Sequence, residues 1–251
     1  MTNIIERIFK HRSIRVFEPG RNIPKEDLET IIRAAQRAST SCSGQMYSFI
    51  RITGDVKAKI SRFCGENIIS SASEFIILCA DRYRLDCLVE TAGGKIKDWK
   101  FASLIISSFD VALAAQNAVL AAEELGYGIV FLGTCGDRAE ELIEILKLPK
   151  GVLPLAGLAI GYPAENPPLR PRLPLEAVLH ENEYQIPTEE ELAQWINIMG
   201  TKLSKEGYYQ KYSGKDENYT WKNHLVRKFG GKWLEKIEKK RRQMANKQEF
   251  L

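Results

Sequence analysis

Five consecutive residues, His11-Arg12-Ser13-Ile14-Arg15, place an imidazole, two guanidinium groups and a hydroxyl where an anion could be held. A second basic pair, Arg170-Pro171-Arg172, lies more than 150 residues further on and is stiffened by its proline. A guanidinium offers a planar fork of donors that matches phosphate oxygens, and hydroxyls and main-chain amides near a helix end add further bonds. The two clusters could therefore close on one phosphate, although a lone Arg-x-Arg reads more readily as solvated surface charge. Two turns are rich in small or hydroxylated residues: Ser39-Thr40-Ser41-Cys42-Ser43, and Gly133-Thr134-Cys135-Gly136 after a strand-like run. Phosphate plus a flat, hydrogen-bonding ring is a ligand that such a set could hold.

Other chemistries lack their residues. Gly94-Lys95, Gly214-Lys215 and Gly231-Lys232 are followed by Ile96, Asp216 and Trp233, so there is no P-loop. Gly126-Tyr127-Gly128 follows a helix pattern and precedes a strand, the reverse of a Rossmann turn. His11, His180 and His224 have no metal-ligand spacing, no G-x-S-x-G occurs, and no metal is expected. The net charge is only +4 over 251 residues, with the basic excess gathered near the C-terminus around Lys239-Lys240-Arg241-Arg242, so no nucleic-acid partner is expected. That basic run reads as a solvated face or mobile end. The five cysteines, Cys42, Cys64, Cys79, Cys87 and Cys135, are odd in number and contain no C-x-x-C pair, which fits reduced thiols and a cytoplasmic location. The charged N-terminus lacks the apolar run of a signal peptide. The most apolar stretch, Ala102 to Leu125, is interrupted by Asp110, Gln116, Asn117, Glu123 and Glu124, so it reads as a buried helix and no membrane span is expected.

Hydrophobic periodicity supplies the elements that must position these groups. Asn3 and Glu6 resemble a capping pair opening a first helix that delivers the chain to His11. Pro24 with Glu26 and Asp27 opens a second, striped by Leu28, Ile31, Ile32, Ala35 and Ala38. Met46 to Thr53 and Glu74 to Ala80 predict two largely buried strands with a helix over Val56 to Cys64 between them, and 82–100 predicts a helix–loop excursion. After the long helix, Ile129 to Leu132 and Leu155 to Gly161 predict two more strands, with a helix from Asp137 to Leu146 between them. Tyr162 to Pro187, rich in proline, predicts an extended arm. Thr188 and Glu191 open a helix to Leu203, a loop follows, and a last basic helix runs from Trp233 to Ala245. The pattern is that of a layered α/β or α+β domain.

Taken in order, His11 to Arg15, Ala38 to Thr53, Ser73 to Asp81, Asp110 to Gly128, Phe131 to Thr134, Leu153 to Pro174, His180 to Tyr184, Tyr208-Tyr209 and Thr220-Trp221 resemble the flavin-dependent nitroreductase family. The branch is that of oxygen-insensitive NADPH nitroreductases and NADPH:flavin oxidoreductases, and the resemblance covers nearly the whole chain. It implies an α+β, three-layer α/β/α fold with a mixed, mostly antiparallel central sheet. Residues 1–165 would form the FMN-binding core, and 166–251 an arm and C-terminal helices wrapping the partner of an obligate homodimer, the whole being one structural unit. The implied activity is ping-pong hydride transfer from NADPH or NADH through FMN to nitroaromatics, quinones or free flavin.

The same resemblance assigns site residues. His11 and Ser13 with Arg170 and Arg172 would grip the FMN phosphate, Arg12 belongs to the same cofactor-binding motif without an assigned contact, and Arg15 would reach the pyrimidine end of the ring, where reduced flavin gathers negative charge. Thr40 and Ser41 would bond the ring or ribityl chain; Leu132, Gly133 and Thr134 would approach through backbone. Where relatives carry glutamine this chain has Glu66, an acid that opposes flavin reduction, and Thr134 replaces a glycine. Lys211 and Lys215 are the candidates for a nicotinamide phosphate. These departures keep open two other readings, a non-catalytic flavin carrier or sensor and a flavoenzyme reduced by a protein electron donor.

Overall fold

The computed structural model describes residues 4–251, apart from the side chains of Tyr212 and Ser213. Asn3, expected to cap the first helix, lies outside the described residues. Two compact units are present, one formed by the chain up to Pro167 together with Lys239–Leu251, the other by Pro168–Glu238.

The first unit runs α1 (Ile4–Phe9), α2 (Lys25–Ala35), β1 (Tyr47–Arg51), α3 (Gly54–Cys64), α4 (Glu66–Ser71), β2 (Glu74–Asp81), α5 (Tyr83–Thr91), α6 (Lys100–Glu124), β3 (Gly128–Leu132), α7 (Thr134–Asp137), α8 (Ala139–Leu146) and β4 (Val152–Gly161). The strands form one sheet in the order β1-β2-β4-β3, and all three ladders are antiparallel. β2 is buried along its whole length because both faces of the sheet are covered, which is why its sequence from Phe75 to Ala80 is continuously apolar rather than alternating. Ile76 and Leu78 point to a core shared with α2 and α6, where Ile31, Ala114, Ala118 and Ala122 pack. Phe75, Ile77 and Cys79 point to the opposite core, with Ile60, Ile69 and Leu142. The expected three-layer α/β/α arrangement follows from that alternation.

Several expectations need correction. β1 is a half-buried edge strand rather than a buried one, since its outer neighbour is absent from the sheet order. α6 is not buried all round: Ser107, Val111, Ala114, Ala118 and Ala122 face the core, but Phe101, Ile105, Phe109 and Leu113 form an exposed row four residues apart. This helix is long and apolar enough to cross a bilayer by composition, yet its inner stripe belongs to the core. Asp137 does not start a helix; it closes α7 and accepts from Arg241, and α8 begins at Ala139. α4 was not expected at all. Its six residues have weak helical propensity, and it forms where Ile69 enters the core.

The C-terminal segment of this unit is an anchor, not a mobile end. Met244, Ala245 and a fully buried Phe250 pack against Ala80, Ala139, Ile143 and Leu153. Lys247 pairs with Glu140 at 3.2 Å, and the Gly151 amide donates to Gln248 O at 3.0 Å. Lys239 to Arg242 do lie on an exposed face.

The second unit contains α9 (Glu189–Lys205), α10 (Tyr208–Ser213), α11 (Trp221–Phe229) and the first turns of α12 (Lys232–Lys247). The expected Thr188–Glu191 capping box opens α9. A second box, Thr220 with Asn223, opens α11 inside the stretch expected to be loop, and the Thr-x-x-Asn spacing is the sequence signal for it. α10 and α11 pack on α9, with Tyr209 buried between Tyr208, Tyr219 and His224.

Candidate functional site

The motif from His11 to Arg15 lies extended beside β3. Ser13 bridges Ile129 in parallel, the Ile14 amide donates to Ile129 O at 2.8 Å, and Phe17 bridges Pro163. Its approach depends on two glycines that face each other in the β3–β4 register, Gly128 and Gly161. A Cβ on Gly128 would lie 2.7 Å from Ile14, and one on Gly161 would lie 2.9 Å from Phe17. With Ile14 and Phe17 buried, His11, Arg12, Ser13 and Arg15 remain half-buried along the same segment.

Carboxylates and carbonyls hold these donors. Glu123 Oε1 lies 2.7 Å from His11 Nδ1, leaving Nε2 for another partner, while the second oxygen of Glu123 is buried with no partner among the described residues. Arg12 donates to Asn166 Oδ1 and to Pro167 O at 3.1 Å. Glu165 Oε1 accepts the amides of Arg15 at 2.6 Å and Val16 at 3.2 Å, and Arg15 Nη1 reaches back to Ser13 O. Neither Glu123 nor Glu165 was singled out from the sequence. A signal existed for the first: Glu123 and Glu124 occupy the last turn of α6, the negative end of the helix dipole, where a carboxylate is disfavoured without a partner. Glu124 takes Arg7 at 3.2 Å.

The hydroxyl-rich turn follows α2. Thr40 Oγ1 accepts the Gln45 amide at 3.2 Å, and Asp110 from α6 accepts the Ser41 amide at 3.2 Å and the Met46 amide at 2.9 Å. Thr40, Ser41, Phe109, Asp110 and Leu113 line a cavity of about 240 Å³.

Leu132, Gly133 and Thr134 end β3 and enter α7, and they meet Cys64 and Gly65, the two residues before Glu66. Thr134 Oγ1 donates to Cys64 O at 2.6 Å, and a Cβ on Gly65, whose φ is +146°, would lie 3.8 Å from Leu132. A Cβ on Gly133 would meet nothing within 4 Å, so the turn presents open backbone, while Glu66 is exposed at the start of α4. Cys135 beneath it is not a nucleophile: its hydrogen bond with Cys64 and its burial push the thiol far up.

In the second unit, Arg170 pairs with Glu206 and lies 4.2 Å from the Tyr208 ring centre. Arg172 donates to the carbonyls of Arg170 and Pro171. Lys211 is exposed on α10, and Lys215 lies 5.6 Å from the Tyr219 ring centre. His224 stacks on Tyr209, and burial with Arg227 and Lys228 lowers its pKa from 6.5.

Comparison with known proteins matches residues 8–162 to the Nitroreductase family and residues 170–251 to the Nitroreductase family, C-terminal domain. The chain belongs to the nitroreductase family. Within that family it is 36% identical over 232 residues to an FMN reductase (NADPH) of Bacillus subtilis, covering 90% of this chain and 91% of the relative. It is 38% identical over 232 residues to an oxygen-insensitive NADPH nitroreductase of Salmonella typhimurium, with the same coverage. Among solved structures, the NADPH:FMN oxidoreductase of Vibrio harveyi complexed with NAD+ superposes with a TM-score of 0.77 at 31% identity, covering 96% of this chain and 98% of that one. Nitroreductase A of Vibrio parahaemolyticus superposes at 0.79, with 32% identity and 92% coverage of each chain.

Proposed function

We propose that this nitroreductase-family chain is an FMN-dependent NAD(P)H oxidoreductase that passes hydride from reduced nicotinamide to nitroaromatics, quinones or free flavin by a ping-pong mechanism. The observation that carries the reading is the family match over both segments of the chain, which includes the whole donor segment His11 to Arg15. Two relatives that align over about nine-tenths of their length act as an NADPH-dependent FMN reductase and nitroreductase by name.

The residues suit FMN. Imidazole, guanidinium and hydroxyl donors at His11, Arg12 and Ser13 match a phosphate, and the open backbone at Gly133 suits a flat ring. When bound, FMN supplies the two-electron step between nicotinamide and acceptor. The chain's own residues bind and orient it. His11, Arg12 and Ser13 take the phosphate, with Arg170 and Arg172 assigned to it by resemblance. Arg15 sets a fixed positive charge at the pyrimidine end of the ring, which favours reduction. Thr40 and Ser41 donate to the ring or ribityl chain, and Leu132, Gly133 and Thr134 approach with backbone. Glu66, exposed at the start of α4, works against Arg15 by disfavouring charge on the ring. Lys211 and Lys215 take a nicotinamide phosphate.

The working form is a cytoplasmic homodimer. The exposed row Phe101, Ile105, Phe109 and Leu113 on α6 is a contiguous apolar face of the kind that a second copy covers. The arm exposes Leu175, Val178, Leu179 and Ile186, again as an interface would.

The test is anaerobic absorbance of the purified protein between roughly 350 and 550 nm, the range in which flavin cofactors absorb, before and after NADPH or NADH. A flavin band bleached by either nucleotide is expected. A band that neither bleaches would replace this reading by a flavin carrier or by a protein electron donor, and a protein that takes up no FMN would end it.

A further inference from the structure

The loop joining α2 to β1 holds a backbone shape that its sequence resists. Cys42, Ser43 and Gln45 have φ of +49°, +56° and +49°, the left-handed region, and none is glycine. A side chain there crowds the backbone, so such residues persist only where surrounding contacts impose the shape, and they gather where function needs a preset geometry. The imposing contacts are specific. Asp110 is 2% exposed, and its two oxygens take the Ser41 and Met46 amides, one at each end of the strained stretch. Arg84 takes Gln45 O, Tyr47 O at 2.8 Å and Ser48 Oγ at 3.1 Å from the outer side. Thr40 Oγ1 accepts the Gln45 amide, which leaves its own O–H to donate.

We propose that Asp110 is a positioning residue for the flavin: by clamping both ends of a loop that is strained away from this conformation, it presents Thr40 and Ser41 preformed. The inference rests on the reading of Thr40 and Ser41 as flavin contacts. A carboxylate is needed because two amides must be accepted at once. The amide of asparagine offers one acceptor, and its NH₂ would meet the second N–H. Without the clamp the loop relaxes from its left-handed residues into commoner conformations. The apparent affinity for FMN then falls in proportion to the fraction of molecules still in the competent shape.

The decisive experiment pairs loss with relief of strain. Asp110→Asn in the full-length protein is expected to raise the FMN dissociation constant by about tenfold or more. It is also expected to speed amide hydrogen exchange at Ser41 and Met46 in the apoprotein, while amides of β2 stay protected. Glycine adopts the left-handed conformation without strain, so Cys42→Gly and Gln45→Gly added to Asp110→Asn should recover most of the lost affinity. A residue needed only for packing of the fold would not be rescued in this way. Wild-type FMN affinity in Asp110→Asn overturns the proposal, and so does a loss that the glycines leave unchanged. Failure of the underlying reading looks different: Thr40→Val and Ser41→Ala would then bind FMN as tightly as the parent, and the proposal falls with it even where amide exchange still depends on Asp110.

Discussion

The Glu123 carboxylate lies 2.7 Å from Nδ1 of His11, across 112 positions of chain. It ties the last turn of the core helix α6 to the first donor of the segment proposed to hold the FMN phosphate. A carboxylate on one ring nitrogen fixes the ring plane and turns the other nitrogen outward, the arrangement by which second partners orient histidine elsewhere.

Glu123→Ala is therefore expected to weaken FMN binding by about five- to tenfold, the equivalent of one hydrogen bond of about 1–1.5 kcal/mol. Glu123→Gln, which keeps an acceptor for Nδ1–H, should lose less. If Glu123 acts through the imidazole, the losses in His11→Asn and Glu123→Ala will not add in the double variant. Additive losses in a fluorescence titration would separate the two residues.

Gly128→Ala should displace the donor segment, because the new methyl would sit 2.7 Å from Ile14. Overpacking of this kind costs about 1–3 kcal/mol. The expected result is a lower thermal midpoint together with loss of flavin.

Phe109→Glu with Leu113→Glu places two charges on the exposed row of α6. A dimer that closes on this row should dissociate, since unpaired carboxylates are costly to bury. Sedimentation would show a single-chain mass. A dimer that survives the double change would move the interface elsewhere.

His224 is lowered in pKa by burial and then by Arg227 and Lys228, so the folded chain binds its proton less readily than the unfolded chain does. The associated stability is fully present above the unfolded value near 6.5 and is lost as pH falls below it toward the lower folded value. Urea midpoints of the Tyr209–His224 region, followed by tyrosine fluorescence, should fall as the solution is acidified from pH 7 to about 5. His224→Phe, which keeps a ring against Tyr209, should flatten that dependence.

What the amino-acid sequence alone determined is whatever is written in neighbouring residues. The stripe Leu28, Ile31 and Ala35, the run Glu74 to Ala80 and the Thr188–Glu191 cap all rest on spacings of a few positions, and each element stands within a residue or so of where those spacings put it. The order of the short motifs was enough for the family. The tertiary structure alone decided which groups hold those motifs in place. Glu123 with His11, Glu165 with the Arg15 amide and Asp110 with the Ser41 amide are pairings across 112, 150 and 69 positions. In sequence none of these acids names its partner, because a carboxylate's partner is set by which strand or helix end folds against it, and no local periodicity records that. Phe109 is lost for the same reason: an apolar helix reads as buried on every side, and only the packed sheet shows that it needs one side and leaves the other row exposed.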